Sequence, residues 1–201
     1  MKIETESDLA ALYGPVHPLA AAKEINRLDH HCRRWLEMTP FILFATTNGA
    51  QLDVSPKGDA PGFVKVEDDR HVLIPDWPGN NRIDGLRNIV RNPAVALIAI
   101  IPNVKETLRI NGRATIHDDE ALRALFTTRG KLPITVTRIE VQTIFLHCPK
   151  AFMRSGLWDA DTWPERSELP TLGEILKDHT KSDAEPESAA AQERRSLKQL
   201  Y

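Results

Sequence analysis

Polar side chains that are suited to binding an anion cluster in two segments of the chain. Segment 53–59, Asp-Val-Ser-Pro-Lys-Gly-Asp, places a hydroxyl, a lysine and a glycine at the predicted end of a strand, and segment 78–82, Pro-Gly-Asn-Asn-Arg, precedes a predicted amphipathic helix. Asn80 and Asn81 are predicted N-caps, with Arg82 in the first helical turn, where free N–H groups and the helix dipole favour an anion. The pattern therefore predicts a phosphate site, although a surface loop and an ordinary capped helix with a solvated arginine fit the same residues.

A second pair of cations follows the last predicted strand. Lys150 and Arg154 are four residues apart and share a face if this segment is helical. With Trp158 beside them, they would suit an anionic aromatic ligand. The alternative is a solvated basic face, with the tryptophan serving as packing.

Two cysteines, Cys32 and Cys148, stand next to histidines in the segments 30–32 and 147–148. Two cysteines are too few for a disulfide framework. Their spacing matches no common zinc pattern, and adjacent residues rarely point at one ion. We therefore predict no metal site.

Composition and charge limit the function classes. The chain has 201 residues with 41% hydrophobic content, enough for one substantial core plus tails, and its net charge of −2 lacks the basic field that nucleic-acid binding requires. No apolar run approaches a membrane span, and the acidic start of the sequence does not resemble a secretory signal. We expect a cytoplasmic protein without a membrane or nucleic-acid partner.

Hydrophobic periodicity predicts a mainly β protein with peripheral helices. The longest predicted helix covers 19–37, and its apolar stripe is expected to pack in the core; it comprises Ile25, Leu28, Cys32, Trp35 and Leu36. Shorter helices are predicted at 8–13, from Arg82 onward and at 119–126. Strands are predicted at 41–47, 51–54, 64–66, 71–74, 94–101, 107–116 and 134–146. The run 94–101 is apolar throughout, which predicts burial on both faces, and six or seven mostly antiparallel strands favour a small barrel.

The last part of the chain has a different composition. From Lys177 onward it is rich in Ser, Ala, Glu, Lys and Arg, with few large apolar residues. Such a segment is typical of disorder or of a frayed helix. The alternative is a helix over 189–200 that docks on a partner subunit.

Several motifs in order resemble one family, the pyridoxamine 5'-phosphate oxidase-like, FMN-binding split-barrel proteins. The similarity is strongest to a bacterial subgroup with Ser-Pro-Lys-Gly-Asp, Pro-Gly-Asn-Asn-Arg and His-Cys-Pro-Lys signatures. The matching segments are 41–47, 53–59, 73–93, 106–114 and 147–158. The resemblance covers about residues 40–160 and implies an FMN-binding split barrel there. Sequence pattern and composition predict an N-terminal helical lead-in at 1–39 and a partly disordered C-terminal extension at 161–201.

The resemblance also implies a six-stranded split β-barrel of the FMN-binding type that forms a homodimer, with FMN at the subunit interface. In that family, basic residues at a strand end and the turn before the short helix hold the flavin phosphate. By this resemblance the expected phosphate-binding residues are Ser55, Lys57, Asn81, Arg82 and Arg87. The residues expected to line the flavin ring are Pro75, Asp76 and Thr107, and those expected from the partner subunit are Lys150 and Arg154.

The implied function is an FMN-dependent oxidoreductase acting on an unidentified small molecule. The Arg-Leu-His segment with which the vitamin-processing oxidase binds its substrate does not occur in this sequence, so pyridoxamine phosphate is not the expected substrate. No catalytic acid or base is nameable, because the flavin itself carries the electrons. The alternatives are a non-catalytic flavin- or haem-binding module and a barrel that binds oligonucleotides, against which the balanced charge and sparse aromatic residues count.

Overall fold

The computed structural model describes residues 2–201, and helices are the only regular elements before residue 41. The first three helices are α1 (Glu6–Tyr13), α2 (Pro18–Ala22) and α3 (His30–Met38). The single helix predicted over 19–37 is wrong, because the chain leaves helical geometry between α2 and α3. There Ile25 exchanges both backbone hydrogen bonds with Ile144 (3.1 and 2.8 Å), and the Asp29 carboxylate caps α3 by accepting from the Cys32 N–H at 2.8 Å. The predicted apolar stripe does pack in the core.

Seven strands form one antiparallel sheet. They are β1 (Phe41–Thr47), β2 (Leu52–Gly58), β3 (Lys65–Val66), β4 (His71–Asp76), β5 (Ala94–Ile100), β6 (Thr107–His117) and β7 (Thr135–His147). Their order in the sheet is β2-β1-β5-β6-β7-β4-β3. The strand count is thus seven instead of the expected six, and within residues 2–201 no ladder joins β2 to β3, so the sheet is not closed.

β2 is longer than the sequence predicts. It continues through Ser55, Pro56 and Lys57 to Gly58, and Pro56 lies opposite Leu43 of β1. Proline lacks the N–H that a central strand needs, but β2 lies at the sheet edge, where the missing donor costs little. The hydroxyl, lysine and glycine predicted at the end of this strand are therefore part of it.

β5 is buried on one face only, so its predicted burial on both faces is wrong. Val95, Leu97 and Ala99 are buried, while the alternate residues Ala96, Ile98 and Ile100 remain partly exposed. β5 thus carries more apolar side chains than the core of one chain buries.

Two long strands carry the centre of the sheet. β6 alternates as predicted, with Leu108, Ile110 and Ala114 buried on one face. Its ladder with β7 shifts register between Asn111 and Gly112. A Cβ atom at Gly112 would lie 2.2 Å from the Glu140 carbonyl oxygen, so this close approach requires glycine.

Helices complete the chain. They are α4 (Asp84–Arg91), α5 (Glu120–Ala124), α6 (Lys150–Ser155), α7 (Leu172–Thr180) and α8 (Ala189–Lys198). Within residues 2–201, no helix is long and apolar enough to cross a membrane. α8 falls in the segment for which a helix was the alternative to disorder; partial disorder of the extension stays a prediction, as do the boundaries at 39/40 and 160/161.

Candidate functional site

Three polar side chains of β2 point to the same side of the sheet. Asp53, Ser55 and Lys57 alternate with exposed residues and are themselves half-buried. The Lys57 ammonium donates to the carboxylate of Asp76, at the end of β4, with an Nζ–Oδ1 distance of 2.8 Å. Because β2 and β4 share no ladder, this ion pair shows that the sheet curls until its opposite edges approach each other.

The turn before α4 differs from the predicted cap. The helix begins at Asp84, its N-cap is Ile83, and no side chain accepts a hydrogen bond from its first turn. Asn80 instead accepts from the Arg82 N–H at 3.0 Å, and Asn81 adopts φ 59°, which asparagine tolerates better than most residues. The prediction that Asn80 and Asn81 cap the helix and that Arg82 lies in its first turn is therefore wrong.

Ile83 is the strained residue of this turn. Its φ of 45° is left-handed, which is costly for a β-branched side chain. Such conformations persist only where the surrounding structure imposes them, and they are frequent at ligand sites. The buried amide of Asn88 supplies one such constraint, because it donates to Thr46 Oγ1 of β1 at 3.1 Å and holds α4 on the sheet.

Arg82 is exposed but paired with a carboxylate. Its guanidinium donates to Asp84, and this hydrogen bond, followed by the charge of Asp84 and a smaller effect of Asp53, raises the pKa of Arg82. Arg82 is therefore a permanent cation at the mouth of the turn.

These elements enclose a cleft of about 330 Å³. Its lining residues come from β1, β2, the end of β4, the turn and α4; they are Phe44, Asp53, Ser55, Lys57, Asp76, Trp77, Gly79, Asn80, Asn81, Arg82, Ile83, Asp84, Gly85, Leu86 and Ile134. The cleft therefore carries three carboxylates and two cations. Asp53 has no salt-bridge partner among residues 2–201, whereas the other two carboxylates each pair with a cation.

Half of the site residues expected from the sequence line this cleft, namely Ser55, Lys57, Asp76, Asn81 and Arg82. The others lie elsewhere on this chain. Pro75 is buried in β4, Arg87 is exposed on α4, and Thr107 is buried at the start of β6. Pro75 and Asp76 cannot share a face, since successive strand residues point to opposite sides.

Lys150 and Arg154 lie together on α6, as the helical spacing predicts, and both are exposed. The α6 segment is fixed near the β5–β6 turn, where the Trp158 indole donates to the Val104 carbonyl at 2.9 Å and stacks on Phe152. Neither cation lines the cleft of its own chain.

Asp53, Trp77 and Asp84 are among the cleft residues that were not predicted from the sequence. The signal for Asp53 was available, because it precedes Ser55 and Lys57 in the two-residue period of a strand. Trp77 follows Asp76 directly, and its indole Nε1 is buried without a hydrogen-bond partner in the described structure. Hydrophobic periodicity does not identify such a residue, because its position depends on the backbone conformation after the end of β4.

Cys32 and the one acidic cluster found in residues 2–201 serve other roles. Burial raises the pKa of Cys32 to about 12, so it is a protonated packing residue of α3. Glu67 pairs with Arg138 at 2.6 Å and Asp68 with His71 at 2.9 Å. Hydrogen bonds, first from the Arg70 N–H, lower the pKa of Asp68. These carboxylates are thus already partnered by the protein.

Comparison with solved structures gives several matches over about six-tenths of the chain. HupZ from Group A Streptococcus is 21% identical over 59% of this chain and 92% of its own, with a TM-score of 0.48. General Stress Protein 26 from Bacillus anthracis is 14% identical over 58% and 93%, with a TM-score of 0.43. An F420 reductase is 18% identical over 56% and 94%, with a TM-score of 0.42.

No curated protein sequence matches the chain. The model of the family described as pyridoxamine 5'-phosphate oxidase matches residues 28–148. This range includes all seven strands, the turn before α4 and every residue of the cleft. It also spans more than half of the sequence. The chain belongs to the pyridoxamine 5'-phosphate oxidase family.

Proposed function

We propose that the protein is an FMN-dependent oxidoreductase that acts on a small molecule, with the flavin bound at a homodimer interface. The observation that carries this proposal is the cleft, in which Ser55, Lys57 and Arg82 converge on the uncapped start of α4. Membership of the pyridoxamine 5'-phosphate oxidase family supports a flavin as the ligand. When bound, FMN supplies the hydride or electron transfer, and the protein supplies binding and orientation.

The donors of the cleft fit a phosphate group. Asp84, Gly85 and Leu86 begin α4 and line the cleft, and the backbone N–H groups of this first turn have no side-chain cap. Such groups bind anions together with the positive end of the helix dipole. Arg82 would add a charge-assisted hydrogen bond, with Lys57 and Ser55 on the opposite wall.

The charges of the cleft also predict competition for these cations. Lys57 pairs with Asp76 and Arg82 pairs with Asp84, so a phosphate has to replace a carboxylate at one or both cations. Asp53 adds a further negative charge. Lys150 and Arg154 of the partner subunit, which the family resemblance predicts at the site, would offset it in a dimer.

Exposed apolar side chains support a second copy of the chain as the partner. Leu52 and Val54 project from the outer face of the edge strand β2 with 82% and 60% exposure, and Val90 of α4 is 79% exposed. The half-covered face of β5 adds to this surface. Burial of such residues between two copies would remove apolar surface from water.

Of the residues proposed to line the flavin ring, Asp76 is the one that lies in the cleft of this chain. Pro75, Thr107 and Arg87 stay predictions of the family resemblance, because none of them lines the cleft. A haem module is less well supported, since the lining residues include no histidine, cysteine or methionine to ligate the iron.

The test begins with the absorption spectrum of the purified protein after saturation with FMN and removal of free cofactor. Retained flavin bands, FMN identified by mass in the denatured supernatant, and bleaching by a nicotinamide donor with turnover are the expected results. Retained flavin without turnover on any donor would support the non-catalytic module. A Soret band after incubation with haemin and no retained flavin would contradict the proposal.

A further inference from the structure

Tyr201 contacts residues that are distant from it in sequence. Its ring meets the Trp77 indole edge-on, with centroids 4.9 Å apart and planes at 85°. Its hydroxyl donates to Asp59 Oδ1 at 2.6 Å, and its backbone oxygen accepts from Lys131 Nζ at 2.6 Å. The Arg129 guanidinium lies 5.4 Å from the ring centroid. We call Asp59, Trp77, Arg129 and Lys131 the tyrosine site.

Each part of the tyrosine is recognised by different chemistry. A phenol that donates to a carboxylate forms a short, charge-assisted hydrogen bond. The edge-on contact with Trp77 is a favoured aromatic geometry, and a guanidinium near a ring is attracted by its π face. Together these contacts select a ring that carries a hydroxyl and an acceptor oxygen.

The tyrosine site is built from segments that the fold itself holds. Asp59 follows β2 and Trp77 follows β4, while Arg129 and Lys131 come from a tight turn before β7. That turn is closed by reciprocal backbone hydrogen bonds between Thr128 and Lys131, at 3.0 and 2.9 Å. Two of the four recognition groups are thus positioned by local structure.

The chain that leads to Tyr201 is loosely attached. No residue from Lys177 to Leu200 is buried, and α8 contributes no side chain to a core. Ordering such a segment costs backbone entropy at every residue, which exposed residues do little to offset. Tyr201 is therefore poised to exchange between a docked and a released state.

Trp77 connects this site to the cleft. Its indole lines the cleft and also the surface depression that includes Asp59 and Phe126. The depression and the cleft therefore share one aromatic wall. An occupant of the tyrosine site therefore contacts the indole of a residue that also lines the cleft.

We propose that the tyrosine site binds hydroxyaryl compounds that carry an acceptor oxygen, and that Tyr201 occupies it in cis until such a ligand displaces it. The proposal does not depend on flavin, so it is tested on the protein without added cofactor. The phenol has to keep its proton to donate to Asp59. Its pKa is raised, first by this hydrogen bond and then by burial, so it does so at neutral pH.

In the experiment, N-acetyl-L-tyrosinamide is titrated into the full-length protein and into Tyr201→Ala. Binding is monitored by the NMR signal of the Trp77 indole N–H, and the signal is assigned by its loss in Trp77→Phe. A tethered occupant competes at an effective concentration of roughly millimolar or more. We expect Tyr201→Ala to bind the probe at least about tenfold more tightly than the unmodified chain. Tyr13→Ala removes the chain's other tyrosine, which is exposed on α1, and is expected to behave like the unmodified chain.

Two further measurements separate recognition from unspecific contact. N-acetyl-L-phenylalaninamide lacks the hydroxyl and is expected to bind Tyr201→Ala at least about tenfold more weakly than N-acetyl-L-tyrosinamide does. Adding Asp59→Asn to Tyr201→Ala should reduce this preference for the hydroxylated probe. Without probe, Tyr201→Ala should shift the Trp77 indole signal. Equal binding of both probes, equal binding by both chains, no saturable binding to Tyr201→Ala, or an unshifted indole signal would each overturn the proposal.

Discussion

Lys57 and Arg82 are the two cations of the cleft, and each has a carboxylate partner in the chain. Lys57 and Asp76 are largely covered, with about a fifth of each side chain exposed, whereas 80% of the Arg82 side chain is exposed. The Arg82 pair is therefore the more screened by solvent and the easier to exchange. At the residue scale, an incoming phosphate should take Arg82 from Asp84 more readily than Lys57 from Asp76.

Arg82→Ala should weaken FMN retention. The variant loses a charge-assisted hydrogen bond to the phosphate, so the dissociation constant should rise about tenfold. Fluorescence titration with FMN measures this change. Arg91→Ala, in the last turn of the same helix and exposed, is the matched control. An unchanged affinity for Arg82→Ala would remove this residue from the site.

Asp53→Asn should have the opposite effect. The substitution removes the cleft carboxylate without a salt bridge and keeps its size, so repulsion of a phosphate decreases. We expect tighter FMN binding, with a difference that shrinks at high salt. Asp118→Asn, on the β6–α5 connection outside the cleft, should not change the affinity. Weaker binding by Asp53→Asn would instead indicate that Asp53 contacts the flavin directly.

At the scale of elements, the site depends on how α4 is attached to the sheet. The side-chain hydrogen bond from Asn88 to Thr46 lies inside the interface between α4 and β1. Ile89 packs in the core from the same helix. Contacts between residues that are distant in sequence therefore position the start of α4. The backbone N–H groups of its first turn are positioned with it.

Thr46→Val should destabilise the protein by about 1–3 kcal/mol, because the buried Asn88 amide loses its acceptor. Urea unfolding measures the free energy, and FMN titration should show a parallel loss as α4 loosens. Thr46→Ser keeps the hydroxyl and should retain most of the stability. Equal unfolding free energies for the valine and serine variants would contradict this role of the hydrogen bond.

At the scale of the whole molecule, the chain leaves apolar surface on β2, α4 and β5 uncovered. The edge strand β2 also leaves backbone groups unpaired in the described structure. Exposed edges and apolar faces favour association with a second chain. The cleft lies on the inner side of that same strand.

Light scattering of the FMN-loaded protein should give about twice the chain mass of 22.6 kDa. Val54→Asp places a charge on the exposed face of β2, so it should shift the protein towards monomer and lower FMN retention together. Leu169→Asp, at a similarly exposed position away from the sheet, is the control. A monomer mass with FMN still bound would contradict the shared interface.

Much of the fold follows from local patterns in the sequence. The bounds of β1 were predicted from its run of apolar residues, and the buried face of β6 was predicted from alternation. The helical spacing of Lys150 and Arg154 was also correct. Such patterns are readable from the sequence because apolar residues recur every two residues in a strand and every 3.6 residues in a helix on the face that meets the core. The helix predicted over 19–37 failed because its apolar spacing carried no sign of the backbone pairing between Ile25 and Ile144.

The sequence by itself determined the family, the alternating strands and five residues of the cleft. Only the tertiary structure decided that Lys57 meets Asp76, that α4 begins after a left-handed Ile83, and that Tyr201 reaches Trp77. Each of these contacts depends on the curl of the sheet or on a chain reversal, and no period in the sequence encodes it. The physical reason is that periodicity records local burial, whereas a site assembled across strand ends depends on the relative placement of distant segments.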